Sequence, residues 1–157
     1  MGSFLATHQD EWIDGIPVSP NQEFFPRNQT WESTFRVAGS VRARWGIMTS
    51  AMYEYQSGAP QARDALFRTG LRQLSTVTLR MEPLGAQRLP GYKLLSFRAA
   101  KEFAVTDAQR LRVQFDLFNA LNANDATGIT RRSGTNYGRI TGIVPPRVAR
   151  VGLTYSF

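Results

Sequence analysis

The chain has 157 residues, a formal net charge of +7 and no cysteine. That length supports one domain, and the missing thiols exclude disulfides, thiolate nucleophiles and thiolate metal sites. No apolar run approaches the ~18 residues that a membrane-spanning helix needs, and the positive charge is almost all arginine, the lysines being Lys93 and Lys101.

In chain order, residues 8–30 (HQDEWIDGIPVSPNQEFFPRNQT) are rich in Pro, Asn, Asp and Gln and predict a long loop. The stretch TWESTFRVAGSVRARW then alternates. Trp31, Phe35, Val37, Val41 and Trp45 fall on one face, and Arg36, Ser40, Arg42 and Arg44 on the other. Period two over that length predicts a long strand with unlike faces. A tight turn at Trp45–Gly46 leads into IMTSAMYEYQ, which alternates again and places Tyr53 and Tyr55 opposite Glu54. Residues 57–92 predict a second long loop, with a short strand-like alternation in LSTVTLRM.

KLLSFRAAKEFAV sets Leu95, Phe97, Ala99 and Phe103 against Ser96, Arg98 and Glu102, with Lys101 interrupting the apolar face. TDAQ is a short turn. RLRVQFDLFNAL sets Leu111, Val113, Phe115 and Leu117 against Arg110, Arg112, Gln114 and Asp116. Residues 119–146 form a third predicted loop, and residues 147–157 a closing strand. There Val151, Leu153, Tyr155 and Phe157 alternate with Arg150, Gly152, Thr154 and Ser156.

The pattern predicts an all-β, antiparallel, up-and-down meander of long strands, with short turns at one end and long loops at the other. In a soluble sandwich the apolar face would be the core. In a transmembrane barrel it would meet lipid, and the polar face would line the lumen. The strand lengths reach the 9–11 residues that cross a bilayer. Trp31, Trp45, Tyr53, Tyr55 and Phe103 suit the membrane interface, where amphipathic rings gather, and unequal turns at the two ends are a barrel habit. The barrel reading is therefore preferred, with Lys101 close enough to the 106–109 turn to snorkel.

Weaker signals point to little chemistry. His8 is the sole histidine, so a Ser-His-Asp arrangement would depend on it. No catalytic residue, metal or cofactor is expected. Asp10, Glu11 and Asp14 lack the ligand spacing of a calcium loop and predict a solvated acidic segment. Asn28–Thr30 matches the short glycosylation pattern, which carries little information. Nucleic-acid binding is not expected, because the arginines alternate with apolar residues instead of forming one patch. The competing reading is a soluble carbohydrate-type binding module, with Trp31, Trp45, Tyr53 and Tyr55 as a stacking platform.

RLRVQFDLFNALNAND and PPRVARVGLTYSF, in that order, resemble the last two strands of TonB-dependent outer-membrane receptors. YQSGAP and LGAQRLPGYKLLSFRAAKEF also resemble this group, closest to the Oar-like branch with its carboxypeptidase-regulatory-like domain. The resemblance covers the chain from about Thr30 onward. It implies the C-terminal part of a receptor barrel, residues 1–157, in a bacterial outer membrane, with GSFLAT as the remnant of a further strand. It also implies the partners: outer-membrane lipid, the rest of the barrel with its plug, TonB through that plug, an unidentified solute, and the barrel-assembly machinery. That machinery would read Val151, Leu153, Tyr155 and Phe157. Arg36, Arg42, Arg44, Arg98, Arg110, Arg112 and Arg150 would face the lumen, with Glu54, Glu102 and Asp116 as partners within the chain.

Overall fold

A computed structural model describes residues 1–12, 15–73 and 75–157. Its main feature is one antiparallel sheet of six strands: β1 (Gly2–Trp12), β2 (Arg27–Arg42), β3 (Ile47–Gln56), β8 (Tyr92–Ala104), β9 (Arg110–Phe118) and β12 (Val148–Ser156). Each strand pairs with the next of these in sequence, so the sheet is a meander with β1 and β12 at its edges. The remaining elements lie in the long connections. They are helix α1 (Pro20–Phe24), the pair β4 (Pro60–Gln61) and β7 (Gln87–Arg88), the hairpin β5 (Asp64–Arg68) and β6 (Thr76–Arg80), and the pair β10 (Ala126–Ile129) and β11 (Ile140–Ile143).

The register joins the alternating patterns into two continuous faces. On one, Phe4 pairs with Phe35 and Phe35 with Tyr55, while Val37, Tyr53 and Leu95 form the next rung. Phe97 sits opposite Leu117, and Phe103, Leu111 and Tyr155 follow one another across β8, β9 and β12. The other face carries Arg36 opposite Glu54, and Arg98, Asp116 and Arg150 in one row. A one-residue slip in any pairing would mix the two sets.

Several predicted boundaries are corrected. The 8–30 loop is shorter, because β1 runs through Trp12 and β2 starts at Arg27, with Asp10 paired to Gln29 and His8 to Trp31. Backbone pairing extends the ladder beyond the apolar stripe, where the side chains carry no period-two signal. GSFLAT is thus the start of a full edge strand 11 residues long. Strand β2 ends at Arg42, so Arg44 and Trp45 belong to the turn and not to the strand. The turn is closed by the Ala43 N–H donating to the Ile47 carbonyl, with Trp45 left-handed at φ 63°. The connections at 57–92 and 119–146 are folded into small strand pairs, of which β6 coincides with the alternation expected in LSTVTLRM, and β8 already begins at Tyr92. Asp14 lies outside the described residues.

The buried apolar residues among those described are Ala62, Leu89, Ala100 and Val144. Ala62, Leu89 and Val144 belong to the connections, and Ala100 to the polar face of β8. None is on the apolar face. That face is open: Phe115 is 41% exposed, Val151 69%, Leu153 70% and Phe157 95%.

Candidate functional site

Three regions carry side chains arranged for a purpose: the polar face, the apolar face, and a cap built from the long connections.

On the polar face, Asp116 is 1% exposed. Arg98 on β8 donates from Nε to its Oδ1 at 2.6 Å, and Arg150 on β12 donates from Nη2 and Nε to its Oδ2 at 2.7 and 3.0 Å. Gln114 donates to the same Oδ2 at 2.8 Å. One carboxylate therefore ties three adjacent strands together through charge-assisted bonds. Two cations share that anion, so the cluster keeps a positive excess. Arg36 pairs with Glu54 at 2.9 Å and Arg110 with Glu102 at 2.8 Å, both nearer solvent. Beside the Asp116 cluster a hollow of about 690 Å³ is lined by Ser40, Ser50, Met52, Ser96 and Arg98. Small residues at the centre of the face make room there.

Arg42 and Arg112 take part in no ion pair among the described residues, and both line a second hollow of about 240 Å³ near the tight turns. Arg44, in the turn, instead holds its guanidinium 5.8 Å from the Trp45 ring. The seven arginines thus divide into paired (Arg36, Arg98, Arg110, Arg150), open to the second hollow (Arg42, Arg112) and displaced to the turn (Arg44).

The apolar face carries the aromatic residues at distinct heights. Trp31 stacks on His8 with ring centroids 4.2 Å apart, and Phe35 meets Tyr53 edge-on at 6.4 Å. Tyr55 lies beside Phe35. At the other end, Phe103 shares its rung with Tyr155, whose ring is 6.0 Å from that of Phe157. Trp31 and Trp45 are separated by most of β2, about 45 Å of extended chain. They do not converge with Tyr53 and Tyr55 into one stacking platform.

The long connections all leave from the same end of the sheet and interlock. Asn21 of α1 donates to the Thr78 carbonyl and accepts from the Arg80 N–H. Asn28, 3% exposed, accepts from Arg80 Nη1 at 3.0 Å and from the Leu84 N–H at 3.2 Å. Its amide is buried in the cap, away from the surface that glycosylation needs. Between the second and third connections, Arg63 donates to Ser133 at 2.9 Å and lies 4.7 Å from the Tyr137 ring, while Tyr137 and Gln87 bond to each other. Asp64 reaches Arg131 at 3.8 Å.

Two features place this cap on the sheet. Gly58 and Gly91 mark where the chain leaves β3 and re-enters β8: a Cβ on Gly58 would sit 1.5 Å from the Leu89 carbonyl oxygen, and one on Gly91 2.9 Å from that of Gln56. Asn119, directly after β9, is left-handed at φ 49° and 4% exposed. Its side chain donates to the Ala123 and Pro145 carbonyls at 2.9 and 2.7 Å and accepts from the Ala123 N–H at 2.9 Å. It therefore ties the start of the third connection to its end, and asparagine tolerates the left-handed backbone that this requires.

Asn119 carries no sequence signal, and Asn28 shows in the sequence only as part of the glycosylation pattern, not as a buried bridge. Each is a single buried amide with no periodic signature. No cluster of His, Cys, Asp or Glu able to hold a metal occurs among the described residues. Asp10, assigned above to an acidic segment, lies in β1 and accepts from Gln29 at 3.2 Å.

No family model, curated protein or solved structure matches this chain.

Proposed function

We propose that the chain is the C-terminal wall segment of an outer-membrane transporter barrel of the TonB-dependent receptor type. It would supply six wall strands, the cap of external loops and a closing strand that the assembly machinery reads. The observation that carries this reading is the inversion of the sheet. Its apolar face is open, while its polar face holds a nearly fully buried carboxylate between two arginines. A water-soluble sheet buries its apolar side; a barrel wall turns that side to lipid and keeps charge inside.

The dimensions agree. Strands of 9–16 residues meet the bilayer requirement. Between Lys93 and Phe103 the chain rises about 25 Å, taking about 3.3 Å per residue and a tilt of about 40°. That is the height of a lipid-facing band. Trp31 and His8 lie above it, and Trp45, Tyr155 and Phe157 at its other rim, where amphipathic rings are favoured.

On this reading the paired arginines hold the wall together, and Arg42 and Arg112 face what fills the barrel. R42A and R112A in the intact receptor would then weaken plug retention or alter anion conductance; no change in either assay rejects that role. The closing strand is an edge with free backbone groups and the row Val151, Leu153, Tyr155 and Phe157, which suits recognition by strand addition.

The test is the size and location of the native polypeptide, detected with an antibody to residues 122–132. An outer-membrane band far above 17.6 kDa supports the proposal. A soluble band near that mass rejects it, and would favour a self-contained binding module.

A further inference from the structure

We infer that the apolar face carries a phospholipid site near the tight turns, with an acyl chain in a groove beside Ala99 and an anionic headgroup on Lys101. The inference rests on the membrane reading above and goes beyond it by naming a site, a ligand class and a recognising residue.

The groove has a volume of about 280 Å³ and runs between Ile47, Phe103, Val113 and Phe115. Its floor is low because Ala99 stands between bulkier rungs. One rung holds Ile47, Lys101 and Val113, and the other holds Ala51, Phe97 and Leu117. A shallow trough with an apolar floor and aromatic walls fits a hydrocarbon chain better than a polar solute.

Lys101 supplies the charge. It is half-buried, it is flanked across the strands by Ile47 and Val113, and its Nζ lies 4.9 Å from the Phe103 ring. No ion pair among the described residues includes it. The neighbouring carboxylate, Glu102, points to the opposite face and is taken by Arg110. An ammonium in that setting, without a carboxylate, has an incentive to bind an external anion. One rung further out lie Phe103, Leu111 and Tyr155, and the turn preceding Ile47 adds Trp45 and Arg44. That is the height at which a lysine stem snorkels and a headgroup phosphate resides. Chain and headgroup thus meet complementary surfaces in the right order along the strand.

The experiment reconstitutes the intact receptor in nanodiscs of phosphatidylcholine containing phosphatidylglycerol and counts lipids retained on release by native mass spectrometry. K101M and K101R are compared with R72Q, which removes one exposed charge from a connection. Phosphatidylglycerol retention is expected to fall about fivefold in K101M, to persist in K101R and to be unchanged in R72Q. Excess inorganic phosphate should not displace the lipid. Equal retention by K101M and R72Q overturns the site even though the chain is in the bilayer. Displacement by phosphate overturns the lipid assignment. Absence of the native polypeptide from the outer-membrane fraction overturns both the site and the membrane reading.

Discussion

The two faces of the six-stranded sheet follow opposite rules. On the polar face, the carboxylates are satisfied within the protein: Asp116 receives Arg98, Arg150 and Gln114, Glu54 receives Arg36, and Glu102 receives Arg110. On the apolar face, Phe35, Phe97, Phe115, Val151 and Leu153 touch no covering layer and remain exposed. In water the second arrangement is unfavourable, since apolar surface gains about 25 cal/mol per Å² on leaving it. The contrast teaches that the sheet meets its carboxylates from within and leaves its apolar side without a covering layer among the described residues.

Substitutions can break this contrast in graded steps. The largest effect is expected from D116A, which removes the sealed carboxylate that joins three strands and leaves the half-exposed Arg98 and Arg150 side by side without their shared anion. The loss is that of the charge-assisted bonds from Arg98 and Arg150, each contributing about 1.5–3 kcal/mol. The folded fraction of the intact receptor in detergent, read by gel mobility with and without heating, should fall at least roughly tenfold. Next is F115R, which puts a cation on the apolar face and should cost about 2–4 kcal/mol in lipid. The same residue at the adjacent polar-face position, Q114R, should cost clearly less, and denaturant titration in vesicles compares the two. If F115R and Q114R were equal, the faces would not differ as described.

N119A removes the hydrogen bonds that join the ends of the third connection, and places alanine at a left-handed position. A loss of about 1–3 kcal/mol is expected, with faster proteolysis confined to residues 120–145. The smallest effect belongs to R110A. Its ion pair with Glu102 is 2.8 Å long, but both side chains are about half or more exposed, so the change should stay within about 1 kcal/mol.

How much of this was legible in sequence follows from range. The faces were readable because period two writes them into each strand separately. Arg98, Asp116 and Arg150 each fall on the polar side of their own pattern before any pairing is known. Strand register then only had to bring them level. The cap was not readable in that way. Of its strands only β6 shows an alternation, in LSTVTLRM; the β4–β7 pair and the links between connections, such as Asp64 with Arg131 and Gln87 with Tyr137, depend on partners far along the chain. The outer half of β1 has a loop-like sequence because His8, Gln9 and Asp10 lie beyond the apolar band, where cross-strand contacts such as His8 with Trp31 and Asp10 with Gln29 leave no period-two signal. Arg44 was placed on the strand because the alternation runs on into the turn, which the left-handed Trp45 ends abruptly.

The absence of cysteine allows the central claim to be measured directly. Single cysteines at positions 113 to 117, one per variant along β9, would be labelled with an environment-sensitive fluorophore, and the intact receptor, free of other reactive thiols, reconstituted into vesicles containing brominated lipid. Position 116 would be omitted because of its ion pairs. The account predicts strong quenching at V113C, F115C and L117C and weak quenching at Q114C. Uniform quenching, or protection of the odd positions, would contradict a sheet whose apolar face meets lipid.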